Sequence, residues 1–296
     1  MILLTGATGL VGSALLRRLV APEGPGRTVR CLVRDPRRLG ADRVRVQIAL
    51  GDLADPPSFR NALRGVQAVV HLAATIRDQQ AGSIEELNGI ATWRMVQAAE
   101  RAGVERFVFF SALSASAHNR TRFLRSKALA EEAVSESSLR HDVLAPSVVY
   151  APGDQFATLM SRMALLPVMP FSGSGRAKYQ PIWADDVADC VMGLLAQEGE
   201  ASRRLELAGP ETLSHEDLVR TILQAAGRPR PLVKLPVPVV ARVLRAGEAL
   251  LRSRTPATWD EAELLEVSMT SATGTRDAEA LGVRPQRMAA VLGVGG

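Results

Sequence analysis

Apolar residues in the first half of the chain fall into short runs separated by stretches of helical period. Ile2–Thr5, Val29–Val33, Val44–Ala49, Ala68–Leu72, Phe107–Phe110 and Val143–Leu144 (extending to about Ser147) predict strands. Leu10–Val20, a segment near Pro57–Leu63, Ile84–Ala102 and Arg122–Glu136 predict helices between them. This alternation predicts βαβ units, and so an α/β fold: a Rossmann-type, doubly wound parallel sheet with helices on both faces. Such sheets bind ligands at the carboxyl ends of their strands, at the switch point.

The rhythm changes after Tyr150. A turn at Ala151-Pro152-Gly153-Asp154 leads to a helix and then to a Pro- and Gly-rich loop, Pro167–Gly175. Ala184–Ala196 returns to helix and Leu205–Leu207 to strand, and Ser214 caps a further helix. The expected organisation is a dinucleotide-type domain over 1–150, re-entered at about 184–210. A smaller, mostly helical lobe over 151–183 and 211–296 would bind substrate or partner.

The 296 residues are 47% apolar, enough for a large buried core and against disorder. No run is long and apolar enough to span a bilayer, and no secretory signal pattern precedes Ile2, so a soluble cytoplasmic protein is expected. Cys31 and Cys190 sit in apolar patterns and read as buried hydrophobes, and four scattered histidines have no ligand spacing, so no metal is expected. The net charge of +5 rests on 36 basic residues, of which three are lysines and 33 arginines, spread along the chain. Without clusters this does not point to nucleic acid. It makes each lysine informative. The basic, amphipathic stretch 239–252 reads as a helix packed on the small lobe, with a peripheral membrane contact as the less favoured reading.

The first predicted strand runs directly into Thr5-Gly6-Ala7-Thr8-Gly9-Leu10-Val11-Gly12. Gly6 permits a tight strand-to-helix turn, Gly9 leaves room for a pyrophosphate, and Gly12 lets the helix pack close to the sheet. Free N–H groups from Thr8 to Gly12 and the helix dipole would hold the phosphates. The spacing is G-x-x-G-x-x-G, distinct from the broader G-x-G-x-x-G, and its position after a first strand gives it weight. The predicted ligand is a dinucleotide. At the end of the second strand, Arg34 stands where an acid would read the ribose of NAD and an Arg the 2′-phosphate of NADP. NADP(H) is favoured over NAD(H). Asp35 is the contrary signal.

The chain resembles the extended and atypical short-chain dehydrogenase/reductases through the glycine loop and Gly51-Asp52-Leu53. The same likeness is carried by His71-Leu72-Ala73-Ala74, Asn88 with Thr92, Pro146 to Gly153, and Pro181 to Ala188. It extends to about Val187. Arg125 to Glu131 and Leu165 to Pro170 are similar to the branch holding the NADPH-binding accessory subunit of respiratory complex I. The resemblance implies Asp52 and Leu53 at the adenine, Ala73 and Ala74 along the path to the nicotinamide, and Pro146 and Val148 at the nicotinamide end. It also implies a protein partner such as a respiratory complex.

That family's reductases carry Tyr-x-x-x-Lys, one helical turn apart, in which the lysine lowers the tyrosine pKa and binds the nicotinamide ribose. Here the helix reads Phe123-Leu124-Arg125-Ser126-Lys127, and no Tyr-x-x-x-Lys occurs anywhere in the chain. Lys127 is expected to bind the ribose, with Phe123 on the same face. The family's catalytic serine falls nearest Leu113, so Ser111 or Ser114 would have to substitute, while Ser111 also counts among the cofactor-lining residues. His118, Tyr150 and Tyr179 are further candidate acids. Three functions stand open. The first is an NADP(H)-binding protein whose cofactor is structural or redox-sensing. The second is an active reductase, isomerase or epimerase with a relocated acid and an unidentified small-molecule substrate. The third is a dinucleotide-sensing regulator.

Overall fold

The computed structural model describes residues 1–24, 26–197, 199, 202–235, 240, 242 and 258–294. The stretch 239–252 considered above lies, apart from 240 and 242, outside the described residues.

Seven strands form one parallel sheet: β1 (Ile2–Thr5), β2 (Val29–Val33), β3 (Gln47–Leu50), β4 (Ala68–His71), β5 (Arg106–Phe110), β6 (Arg140–Pro146) and β7 (Arg203–Leu207). Their order is β7–β6–β5–β4–β1–β2–β3. The chain therefore winds outward from β1 in one direction, returns to β4, and winds outward in the other. The crevice at the carboxyl ends of β1 and β4 is the switch point.

The longer helices among the described residues are α1 (Leu10–Leu19), α2 (Ala91–Arg101), α3 (Arg122–Ser135), α4 (Gln155–Met163), α5 (Ala184–Ala196) and α6 (His215–Ala225). Ile2, Leu4, Val70 and Val108 pack with Leu15 of α1 and Val191 of α5 on one face of the sheet. Leu3, Val69, Phe107 and Phe109 pack with Met95 of α2 and Val134 of α3 on the other. The apolar runs of β1 and β4 thus follow from burial on both faces. Arg18 of α1 ties the first packed pair of helices together, reaching Asp185 at 2.6 Å and Asp189 at 2.5 Å.

Two segments differ from their sequence reading. The strand expected over Val44–Ala49 occupies Gln47–Leu50, because Pro36–Arg45 forms a 3-10 segment capped by Asp35, whose carboxylate accepts from the Arg37 amide at 3.0 Å. The helix expected over Ile84–Ala102 begins with a π-turn, Glu86–Ile90, before α2 proper. That wide turn puts Asn88 in the interior, where its amide brackets the backbone of Thr75: Oδ1 accepts from the Thr75 N–H, and Nδ2 donates to the Thr75 carbonyl, both at 2.8 Å.

A third core lies beyond the strand ends, where Tyr150, Met160, Phe171, Tyr179, Leu218 and Ile222 pack together. Short strands join its segments: Val149–Tyr150 with Ile182–Trp183, Lys178–Tyr179 with Leu213–Ser214, and Met169–Ser172 with Leu232–Leu235. Ser214 and Asp217 form a reciprocal capping box at the start of α6, the device expected from a Ser three residues before an acid. Among the described residues no helix is long and apolar enough to cross a membrane.

Candidate functional site

The turn from β1 into α1 is built from close backbone contacts. Gly6 has φ +72°, a conformation L side chains rarely adopt, and a Cβ there would lie 2.6 Å from the amide nitrogen of Ala73. A Cβ on Gly12 would lie 2.0 Å from the Gly6 carbonyl oxygen. Gly9 differs from both. It is exposed, its φ is −83°, and an added Cβ would meet only the Gly6 carbonyl oxygen, at 3.2 Å. Gly9 is therefore bare for a reason other than packing. It is also the N-cap of α1 and supplies no side-chain cap. The first backbone bond of the helix runs from Ser13 to Gly9, so the amides of Leu10, Val11 and Gly12 precede it. A cradle without side chains at an uncapped helix start fits a pyrophosphate.

Arg34 follows β2 and is exposed. Its guanidinium lies 3.9 Å from the Asp52 carboxylate and donates to Gln79 Oε1 at 3.2 Å. Asp52 also accepts from the Ala54 amide, and Leu53 packs at the edge of the second core. The structure brings Arg34 and Asp52 together at the rim beyond β2 and β3. Asp35 is turned away into its own turn, held by the Arg37 side chain at 2.9 Å.

On the other side of the crevice, Ala73 and Ala74 follow β4, Ala73 half-buried and Ala74 exposed. Beneath them His71 is buried between two hydroxyls, with Nδ1 2.9 Å from Thr5 Oγ1 and Nε2 3.1 Å from Thr92 Oγ1. Burial, with the Lys127 ammonium nearby as a smaller cause, pushes its pKa down to about 3. A neutral imidazole thus ties β1, β4 and α2 together under the floor of the site. Sequence reasoning quoted His71 only as part of a motif. The threonines that complete the tie come from positions 5 and 92, and no local signal links them.

Lys127 is 2% exposed. Its ammonium donates to the Phe110 carbonyl at 2.6 Å and lies 4.9 Å from the centre of the Phe109 ring and 5.9 Å from that of Phe123. Burial lowers its pKa to about 7, with Glu131 opposing. Phe123 and Lys127 thus share one face of α3 at the end of β5. Ser111 is buried and its hydroxyl donates to Glu131, which also pairs with Arg204. Ser114 is exposed, at φ +64°, with its hydroxyl donating to the Ser268 carbonyl at 2.8 Å. Leu113 is buried in the third core.

Of the other candidate acids, His118 is exposed. Tyr179 donates its hydroxyl to the Leu265 carbonyl. The Tyr150 hydroxyl is buried without a hydrogen-bond partner among the described residues, and burial raises its pKa. Pro146 is buried at the end of β6, and Val148 is half-buried just beyond it.

An ionic network that the sequence did not announce spans this region. Arg122, at the start of α3, reaches Asp78 at 3.0 Å, Glu85 at 2.7 Å and Asp260 at 3.2 Å. Arg77 reaches Glu261 at 2.6 Å. The segment after β4, the start of α3 and the helix Trp259–Leu264 are thereby held together. Their partners lie up to 184 positions apart.

The NAD(P)H-binding family matches residues 6–198. The chain is 26% identical over 286 residues to the mitochondrial NADH dehydrogenase (ubiquinone) 1 alpha subcomplex subunit 9 of Arabidopsis thaliana, covering 91% of this chain and 68% of that protein. It is 29% identical over 259 residues to sterol demethylase protein B of Methylococcus capsulatus, covering 79% of this chain and 77% of that protein. Its fold is that of the NADPH-dependent quinone oxidoreductase of Escherichia coli in complex with NADPH, with TM-score 0.73, 17% identity and 99% of each chain covered. The matched span opens at Gly6, within the glycine turn after β1. The chain belongs to the NAD(P)H-binding family, as an atypical short-chain dehydrogenase/reductase related to the complex I accessory subunit branch.

Proposed function

We propose that this protein holds NADP(H) across the strand ends as a structural or redox-sensing cofactor and does not turn it over by the ordinary reductase step. The observation that carries this reading is the Phe123–Lys127 pair. The residue one turn before the lysine presents a ring without an acidic proton, and the lysine donates its hydrogen bond to the Phe110 carbonyl. The cofactor would supply a hydride at its nicotinamide. Gly6, Thr8, Gly9, Leu10, Val11 and Gly12 would receive the pyrophosphate, Arg34 the 2′-phosphate, and Asp52 with Leu53 the adenine. Ala73, Ala74, Ser111, Lys127, Pro146 and Val148 would line the nicotinamide half.

The stretches 151–183 and 211–296 would form the lobe that meets a partner or substrate. The Arabidopsis relative is a subunit of NADH dehydrogenase, which supports a protein partner of respiratory type. The test is purified protein analysed by mass spectrometry for co-purifying dinucleotide, followed by NADPH oxidation against a carbonyl panel. Bound NADP(H) with background turnover supports the proposal. Turnover well above background rejects the structural role.

A second reading, an active NAD(P)-dependent enzyme with a relocated acid, draws on the enzyme names of relatives such as the sterol demethylase protein. Tyr150 favours it, as a buried phenol whose proton has no acceptor among the described residues. Loss of turnover in Tyr150→Phe would identify that acid.

A further inference from the structure

The loop between α4 and the short strand Met169–Ser172 projects three large apolar side chains into solvent. Leu165 is 68% exposed, Leu166 51% and Val168 42%. The residues on either side of this tip, Ala164 and Met169, are fully buried. The exposed apolar tip is therefore mounted on a firm base and is not a frayed end.

Several of its backbone groups are paired within the protein. The Leu165 amide donates to the Arg162 carbonyl at 3.1 Å and the Leu166 amide to the Met163 carbonyl at 3.0 Å. Arg230 Nε donates to the carbonyls of both Ala164 and Leu166 at 3.1 Å. Position 167 is proline and has no N–H to satisfy. Each group so paired lowers the cost of entering a medium poor in water.

The two stretches that carry the tip and the facing groove are basic in sequence, with Glu216 and Glu266 approaching them from outside. The stretches 155–175 and 218–235 contain Arg162, Arg220, Arg228, Arg230 and Lys234 and not one Asp or Glu. Arg220 and Lys234 are engaged by Glu216 from outside these stretches. Among the described residues neither Arg162 nor Arg228 has a carboxylate partner. These two guanidinium-bearing residues line, with Leu165, Ala157 and Ile222, an open apolar groove of about 410 Å³ between α4 and α6. An apolar tip flanked by two arginines without a carboxylate partner among the described residues is matched by a surface with anionic headgroups above hydrocarbon.

We propose that Leu165, Leu166 and Val168 form a wedge that enters the interface of an anionic lipid bilayer, with Arg162 and Arg228 binding the phosphates of the headgroups. The wedge is separate from the dinucleotide cradle, and the inference does not depend on which cofactor is bound.

The test uses the full chain and sedimentation with vesicles of phosphatidylcholine alone or mixed with phosphatidylglycerol. Binding is expected to be at least about tenfold tighter to the anionic vesicles and to weaken with added salt. Leu165→Asp/Leu166→Asp should abolish it, and Arg162→Glu/Arg228→Glu should reduce it to the level of neutral vesicles. Both double variants should keep wild-type NADPH affinity, which shows that they fold. In a second measurement, Leu166→Trp should shift its emission to the blue on anionic vesicles and be quenched by brominated lipid. Equal binding to both vesicle types overturns the proposal, as does unchanged binding by either double variant. So does a tryptophan that stays in water, or self-association through the tip without vesicle binding. Tight capture of soluble glycerol phosphate with no vesicle binding would also reject the bilayer.

Discussion

The Lys127 ammonium lies 5.9 Å from the centre of the Phe123 ring and makes its hydrogen bond to the Phe110 carbonyl. A hydroxyl in place of the ring's edge hydrogen would stand beside a cation, which favours the phenolate. Wild-type protein is expected to bind NADPH and to oxidise it at background rate against a broad carbonyl panel. Phe123→Tyr should raise that rate by no more than a trace, since the residue expected nearest the family's serine position is Leu113. Lys127→Ala should weaken cofactor binding by roughly tenfold, the scale of one charge-assisted bond. Strong wild-type turnover that survives Lys127→Ala would move the acid to Ser114, His118, Tyr150 or Tyr179.

Arg34 is expected to set cofactor choice. Its guanidinium stands exposed at the rim, where one nitrogen meets Gln79 and Asp52 and the remaining donors can offer a fork to a 2′-phosphate. Arg34→Ala should weaken NADPH by about ten- to a hundredfold and leave NADH within about twofold. Titration of both cofactors into both proteins decides it. A parallel loss of NADH would shift the assignment away from the 2′-phosphate.

The three glycines of the cradle should part company on mutation. Gly9→Ala adds a methyl group that only the Gly6 oxygen meets, so the cofactor-free protein should melt within about 1 °C of wild type while dinucleotide binding falls sharply. Gly12→Ala drives a Cβ to 2.0 Å from a backbone oxygen and should destabilise the apo-protein by about 1–3 kcal/mol or more. Thermal unfolding with and without NADPH separates the two. Normal binding by Gly9→Ala would mean that the phosphates lie elsewhere.

Lys127 also predicts a pH dependence. Burial lowers its pKa from the ordinary 10.5 to about 7. Between those values the unfolded chain holds a proton that the folded chain has released, so the stability of the apo-protein rises with pH across the window. Below about pH 7 both states are protonated and the full cost of burying the ammonium applies. Lys127→Met lacks this contribution. The stability of wild type relative to the variant should therefore improve between pH 7 and 9 in chemical denaturation, other titrating groups being common to both proteins. A constant difference would place the ammonium in contact with water.

The glycine loop could be read from the sequence because its chemistry is local: a strand end, a tight turn and a helix start lie within a dozen residues. The sheet was legible for the same reason, since each strand is a short apolar run. What stayed hidden depends on distance along the chain. Nothing near His71 announces that Thr5 and Thr92 hold its two ring nitrogens. Nothing near Ser111 shows its hydroxyl spent on Glu131. Arg122 reads as an ordinary helix arginine until Asp78, Glu85 and Asp260 arrive from three separate segments. The edge strand was shifted because Asp35 caps a 3-10 turn, a local choice that competed with the apolar pattern of Val44 and Val46.

The backbone contacts of the cradle bear on how a ligand arrives. From Gly12 to Gly6 to Ala73, main chain touches main chain across what a single Cβ would fill. This part of the floor has no rotamers. No side-chain torsion has to be frozen there when a phosphate settles, and the loops after β1 and β4 are wedged against each other too tightly to shift independently. Much of the ordering that association ordinarily demands was completed when the chain folded. A pyrophosphate bound there, as proposed, would meet a rigid socket, and any rearrangement on binding would belong to the side-chain-rich region around Phe123 and Lys127.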